Sequence, residues 1–91
     1  MGANVYPPPG SIKSIQSGII AITVSNTSAT ATVSAVNTSK SVLYTLGAGG
    51  TSASAGDVAG YLTLTNSTTV TGFRSSTGGS CAISWQLVEY Y

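Results

Sequence analysis

Short runs in which apolar and hydroxyl side chains alternate residue by residue constrain this chain more than any other feature in it. A period of two places successive residues on opposite faces of an extended strand, whereas a helix repeats every 3.6 residues. Gly18 to Val24 sets Ile20, Ile22 and Val24 on one side, with Ala21 and Thr23 on the other. Ala29 to Ala35 alternates Ala29, Ala31, Val33 and Ala35 with hydroxyl residues, which reads as a half-buried strand with a thin inner face. Ser41 to Leu46 presents Val42, Tyr44 and Leu46 together, and Val58 to Thr65 presents Leu62 and Leu64. Thr68 to Arg74 is rich in β-branched residues, and Ala82 to Tyr90 alternates Ile83, Trp85 and Leu87 with Ser84, Gln86 and Val88. Six or seven short strands at this spacing predict an all-β domain over residues 11–91, an antiparallel sandwich or a small jelly-roll-like barrel.

The breaks between strands carry turn chemistry. Asn26, Asn37 and Asn66 each stand where alternation stops, each followed by two hydroxyl residues. Asparagine tolerates left-handed backbone angles and bonds its own chain two residues on, so all three are expected turn starters. Each also satisfies the glycosylation pattern, as chance matches do in a chain where Ser and Thr supply roughly three residues in ten. Gly47 to Gly56 reads as a surface loop, because its Gly-x-Gly lacks the helix and lysine that a phosphate cradle needs. Ser75 to Ser80 reads as a shorter connection of the same kind.

Ahead of the domain, residues 1–10 read as an extended arm. Pro7, Pro8 and Pro9 fix φ near −65° and remove three amide donors, favouring polyproline II. A stiff segment loses less entropy on docking than a flexible one, so the arm is expected to reach over a neighbouring subunit with Tyr6 as its anchor. The alternative is a disordered leader.

Charge narrows the functional classes. Only Lys13, Lys40, Arg74, Asp57 and Glu89 are charged among 91 residues, a net of +1. Ordinary domains have about a quarter of their residues charged. A polar but nearly neutral surface packs densely against other proteins without stripping water from ions. With no clustered Lys and Arg, no nucleic-acid partner is expected. The longest apolar run, Ile19 to Val24, is too short to span a bilayer, so no membrane partner is expected and the product reads as soluble and made in the cytoplasm. One cysteine, Cys81, makes an intrachain disulfide impossible, and without histidine no zinc site is expected. A domain this small buries only about 60 to 65% of its unfolded surface, which leaves oligomerisation as the common source of added stability.

The means for catalysis are nearly absent, and the chain is read as no enzyme, with no cofactor. General acid and base work needs a tuned carboxylate, histidine or lysine. Asp57 and Glu89 lie in unrelated segments, and no histidine is present to activate a serine. Ser39-Lys40 are adjacent and point apart, and Cys81 reads as a small buried hydrophobe at a strand start.

Trp85 alternates with Ile83 and Leu87 and reads as core, with a sugar-stacking platform as the alternative. Tyr90 and Tyr91 read as interface residues, offering large contact area with a polar tip and little rotamer entropy to lose. Arg74 is the only arginine, suited to a bidentate bond to a carboxylate across a subunit boundary, with Glu89 as its partner in trans or in cis. The expected interface set is therefore Tyr6, Pro7, Pro8, Pro9, Arg74, Glu89, Tyr90 and Tyr91.

The run Ser11 to Gly18, the run Ala31 to Leu43, the run Leu62 to Thr71 and a closing strand ending in Val88-Glu89-Tyr90 together resemble a group of small virion proteins of tailed bacteriophages, which also occur as modules in phage fibres. The resemblance covers about residues 11–91 and leaves the Pro-rich arm outside. It implies a particle component, often trimeric, and supplies no catalytic residues. The first expectation is a capsid decoration or cement protein that sits on the major capsid protein and links neighbouring capsomers. The alternatives are a tail-fibre or head-fibre module that binds host glycans, and a structural subunit of the tail.

Overall fold

The computed structural model of the chain describes Pro8 and residues 10–91. The expected arm falls almost wholly outside the described residues, and with it Tyr6, Pro7 and Pro9. Among the described residues six strands form: β1 (Ile12–Ile22), β2 (Ser28–Thr32), β3 (Ser41–Gly50), β4 (Gly60–Asn66), β5 (Thr69–Arg74) and β6 (Cys81–Tyr90). A single 3-10 turn, Thr38–Lys40, precedes β3, and one short helix, α1 (Ala55–Val58), precedes β4. The strands make two antiparallel three-stranded sheets, in the orders β1-β6-β3 and β2-β5-β4. No barrel closes among the described residues. Of the two predicted architectures the sandwich is the one present, with four of the five connections crossing from one sheet to the other.

The core follows from the alternation. Ile20, Ile22, Cys81, Ile83, Trp85 and Leu87 from the first sheet meet Val70 from the second. Ala29, Ala31, Leu62 and Leu64 pack at its margin. Cys81 and Trp85 are buried as predicted. The Trp85 indole Nε1–H has no hydrogen-bond partner among the described residues.

Two of the three asparagines act as the sequence predicts. The Asn66 side chain accepts from the Thr68 amide at 2.9 Å, turning β4 into β5. That of Asn37 accepts from the Ser39 amide at 3.1 Å and caps the 3-10 turn. Asn26 differs: its amide group donates back to Thr23 Oγ1 at 2.7 Å. The tight left-handed angle of that turn falls on Ser25 instead, at φ 75°.

Strand boundaries depart from the periodic reading: β2 ends at Thr32 instead of Ala35, Val58 falls in α1 instead of opening β4, and β1 and β3 also differ. β1 begins at Ile12, six residues before the predicted start, and ends at Ile22, which leaves Val24 exposed in the turn. The stretch read as one loop from Gly47 to Gly56 first completes β3 through Gly50 and then winds into α1. An irregularity between Thr45 and Gly47 lets β3 keep pairing with β6 past Leu46.

The first sheet has the longer strands, and residues beyond β2 cover what the second sheet leaves bare. Val33 and Val36 are buried there, their amides bonded to the carbonyls of Thr68 and Ser67. Gln16 holds this segment by exchanging two bonds with the Ser34 backbone, and Glu89 holds it by accepting from the Asn37 amide at 2.8 Å.

Candidate assembly surface

Of the residues expected at an interface, Arg74 and Glu89 lie inside the single chain, Arg74 3% exposed and Glu89 5%. They do not pair with each other. Arg74 lies at the Cys81 end of β6, where its guanidinium donates to the carbonyls of Thr23, Asn26, Asp57 and Gly78. Glu89 lies eight positions further along β6, about 26 Å at the rise of a strand. There it accepts from Ser14 Oγ and the Asn37 amide, and Lys13 Nζ stands 3.9 Å away. Both charges are spent inside the chain, because a buried ion must be satisfied locally and each end of the sandwich has loop backbone to tie down.

Asp57 completes the Arg74 end. Its carboxylate accepts from Ser52 Oγ at 2.6 Å, from Ser76 Oγ and from the Gly78 amide at 2.9 Å. These bonds, with Arg74 nearby, outweigh the cost of burial and hold its pKa below the ordinary 3.8. A carboxylate with a lowered folded pKa stabilises the fold fully above its unfolded value and loses that contribution as pH falls through the lower folded value. The loops around α1 and residues 75–80 are therefore expected to loosen first in acid, below about pH 4. Amide exchange followed through an acid series checks this, and Asp57→Asn should remove most of the pH dependence of those loops.

Pro8, Tyr90 and Tyr91, the other expected residues among those described, lie at or near the surface. Pro8 is exposed, and its carbonyl accepts from the Ser11 amide at 3.1 Å. Tyr91 is exposed, its amide bonded to the Ser11 carbonyl and its ring 5.8 Å from Lys13 Nζ. Tyr90 is half-buried on the outer face of the β1-β6-β3 sheet, where pairing with Tyr44 raises its phenol pKa above 10.0.

That outer face is the most distinctive surface of the molecule. Register places its side chains in five rows across β1, β6 and β3: Ile12 and Tyr90; Ile15, Val88 and Val42; Ser17, Gln86 and Tyr44; Ile19, Ser84 and Gly47; Ala21, Ala82 and Gly49. Ile19 is 68% exposed, Ile15 55%, and Leu46 at the β3 irregularity 60%. Ile12, Val42 and Tyr44 are also exposed, while Val88 is buried between Ile15 and Val42. No row contains an ion. An apolar face of this extent is unusual on an antiparallel sheet, whose outer side is ordinarily polar.

The opposite outer face, on the β2-β5-β4 sheet, is built differently. Thr30, Thr71 and Thr63 form one cross-strand row, Thr32 and Thr69 pair in the next, and Ser28, Phe73 and Tyr61 form the row on the other side. Tyr61 is 58% exposed and stacks on Phe73 with centroids 5.2 Å apart. Polarity thus divides the two outer faces of one small sandwich.

Sequence reasoning did not assign Ile12, Ile15, Ile19, Leu46 or Tyr61 to a surface patch. A signal was present in Ile19-Ile20: adjacent isoleucines in a strand put apolar bulk on both faces, which is the pattern of a strand covered twice. Comparison with known protein families, curated proteins and solved structures finds no match to this chain.

Proposed function

We propose that this chain is a structural component of a bacteriophage particle, a homo-oligomeric capsid decoration protein that stabilises the head by linking neighbouring capsomers. The observation that carries this reading is the ion-free apolar outer face of the β1-β6-β3 sheet. Covering a face of that kind is favoured in water, and an assembly subunit is a chain whose surface is meant to be covered. The resemblance to small virion proteins supplies the setting, and the scarcity of charge suits close packing in many copies. A protein that binds only the assembled shell stabilises it by mass action, without chemistry of its own.

The expected result is abundance: the chain is present in hundreds of copies per particle, and particles lacking it release DNA under milder heat or osmotic shock. Quantitative protein gels of purified particles, with and without the gene, measure both. A copy number in the tens, with heads of unchanged strength, overturns this reading.

A second reading has one observation in its favour. The exposed Tyr61 ring, braced by Phe73 beside rows of threonine hydroxyls, offers a flat apolar surface with polar groups around it, which suits a sugar ring. A glycan-binding fibre module would lose host adsorption on Tyr61→Ala, whereas a decoration protein would not.

A further inference from the structure

We infer that the outer face of the β1-β6-β3 sheet is covered by the same face of a second copy of this chain, with the strands of the two copies running in opposite directions about a two-fold axis through the row of Gln86. This pairing deepens the assembly reading and rests on it only in taking the face to be covered; no shell is needed for it to form.

Relief is the first reason. The face has a high end, with Ile12, Tyr90, Ile15 and Val42, and a low end, with Ala21, Ala82, Gly49 and Gly47. At Gly47 and Gly49 even an added Cβ would meet nothing within 4 Å. Turning one copy about an in-plane axis perpendicular to the strands lays each high end on the partner's low end. Row by row, Tyr90 then faces Ala82 of the other copy, Ile12 faces Ala21, Val42 faces Gly47 and Ile15 faces Ile19. Only the central row, Ser17, Gln86 and Tyr44, meets itself. An isologous interface requires this kind of self-complementarity, with residue i on j and j on i.

Charge is the second reason. Identical faces bring identical charges together, which is costly when the charges are ions and free of cost when there are none. The five rows contain none, and Lys13, in the irregularity beside Ile12, stands at their end against Glu89.

Area is the third. Five rows of about 6.7 Å by three strands of about 4.8 Å give roughly 500 Å² of flat area per copy, hence about 1,000 Å² for the pair before relief is counted, which is the threshold for a specific interface. Stacked sheets of this kind pack about 10 Å apart.

A three-fold arrangement, as the resemblance implies, cannot be built from this contact alone, because a two-fold face is used up by one partner. The two assemblies are therefore separable by experiment. Light scattering coupled to size exclusion should give twice the single-chain mass, with little change between about 0.05 and 0.5 M salt because few charges are screened. Ile19→Lys and Ile15→Glu alter exposed side chains, so each should keep the wild-type melting behaviour of the single chain and elute at single-chain mass. Mixed together they should pair again, since Lys on one chain then faces Glu on the other. Gln86→Cys, on the axis, should be linked between chains by a short bifunctional thiol reagent, whereas Ala82→Cys and the wild type, whose Cys81 is buried, should not.

A wild-type chain that stays at single-chain mass overturns the pairing. So does a pair that survives both single substitutions, or single substitutions whose mixture does not reassociate. A trimer overturns the two-fold contact and leaves the decoration reading standing. Conversely, a two-fold pair in a chain absent from any particle overturns that reading and leaves the contact.

Discussion

Arg74→Met is expected to destabilise the fold by at least about 3 kcal/mol, because the carbonyls of Thr23, Asn26, Asp57 and Gly78 lose their donor together in a place water reaches poorly. A domain of this length has only about 5 to 13 kcal/mol of total stability, so the loss is a large share of it. The guanidinium acts as a pin through one end of the sandwich: it joins the β1–β2 turn, α1 and the β5–β6 connection, three segments with few apolar contacts of their own. Arg74→Lys keeps the charge but replaces a rigid fork with a single head group, which cannot reach four separate carbonyls. Its stability should fall between wild type and Arg74→Met. Denaturant titration measures the order, and amide exchange should show the damage concentrated in residues 23–27, 51–58 and 75–80. If Arg74→Met lay within about 0.5 kcal/mol of wild type, the change would match an ordinary surface substitution, and the pin would not exist.

Ile83→Ala is expected to cost between about 3 and 5 kcal/mol, in the upper part of the range for emptying an aliphatic site. The reason lies across the core. Ile83 is fully buried, and its Cδ1 lies where a side chain at Gly60 or Gly72 would begin: a Cβ added there would stand 2.4 Å or 3.1 Å from it. With no side chain at either glycine, the facing sheet has little besides Leu62 to move into the space, so most of the cavity stays open. Gly72→Ala alone should destabilise by crowding Ile83 and Ile20, and Ile83→Val alone should cost about 1 kcal/mol. Combined, they should cost less than the sum, because Ile83→Val removes the Cδ1 atom that the new Cβ meets. Additive effects would show that the two residues do not share this space.

Period-two alternation was enough to place the strands and the core, because Ile83, Trp85 and Leu87 leave no other side to bury. It could not say which side of β3 faces inward. Val42, Tyr44 and Leu46 do share a face, but it is the outer one, and the inner side holds Leu43 and the small residues opposite β4. Alternation reports which residues go together, whereas the choice of interior depends on what the second sheet can cover. The burial of Arg74 and Glu89 was missed for a related reason. A lone arginine and a glutamate near the end of a chain look like contact residues, and their burial depends on loop carbonyls and amides that converge only once both sheets have formed. The bulk of the candidate surface, Ile12, Ile15 and Ile19 on β1, was hidden because β1 starts well before its regular alternation does.

The threonine rows of the β2-β5-β4 sheet have a bearing on any layer built from this molecule. If the apolar sheets are turned toward one another, the hydroxyl sheets become the outside. A coat assembled that way would meet water mainly through dipoles, with an electrophoretic mobility set by its few exposed lysines, Lys13 and Lys40. Such an exterior gives passing polyelectrolytes little to grip, in dilute buffer or in brine.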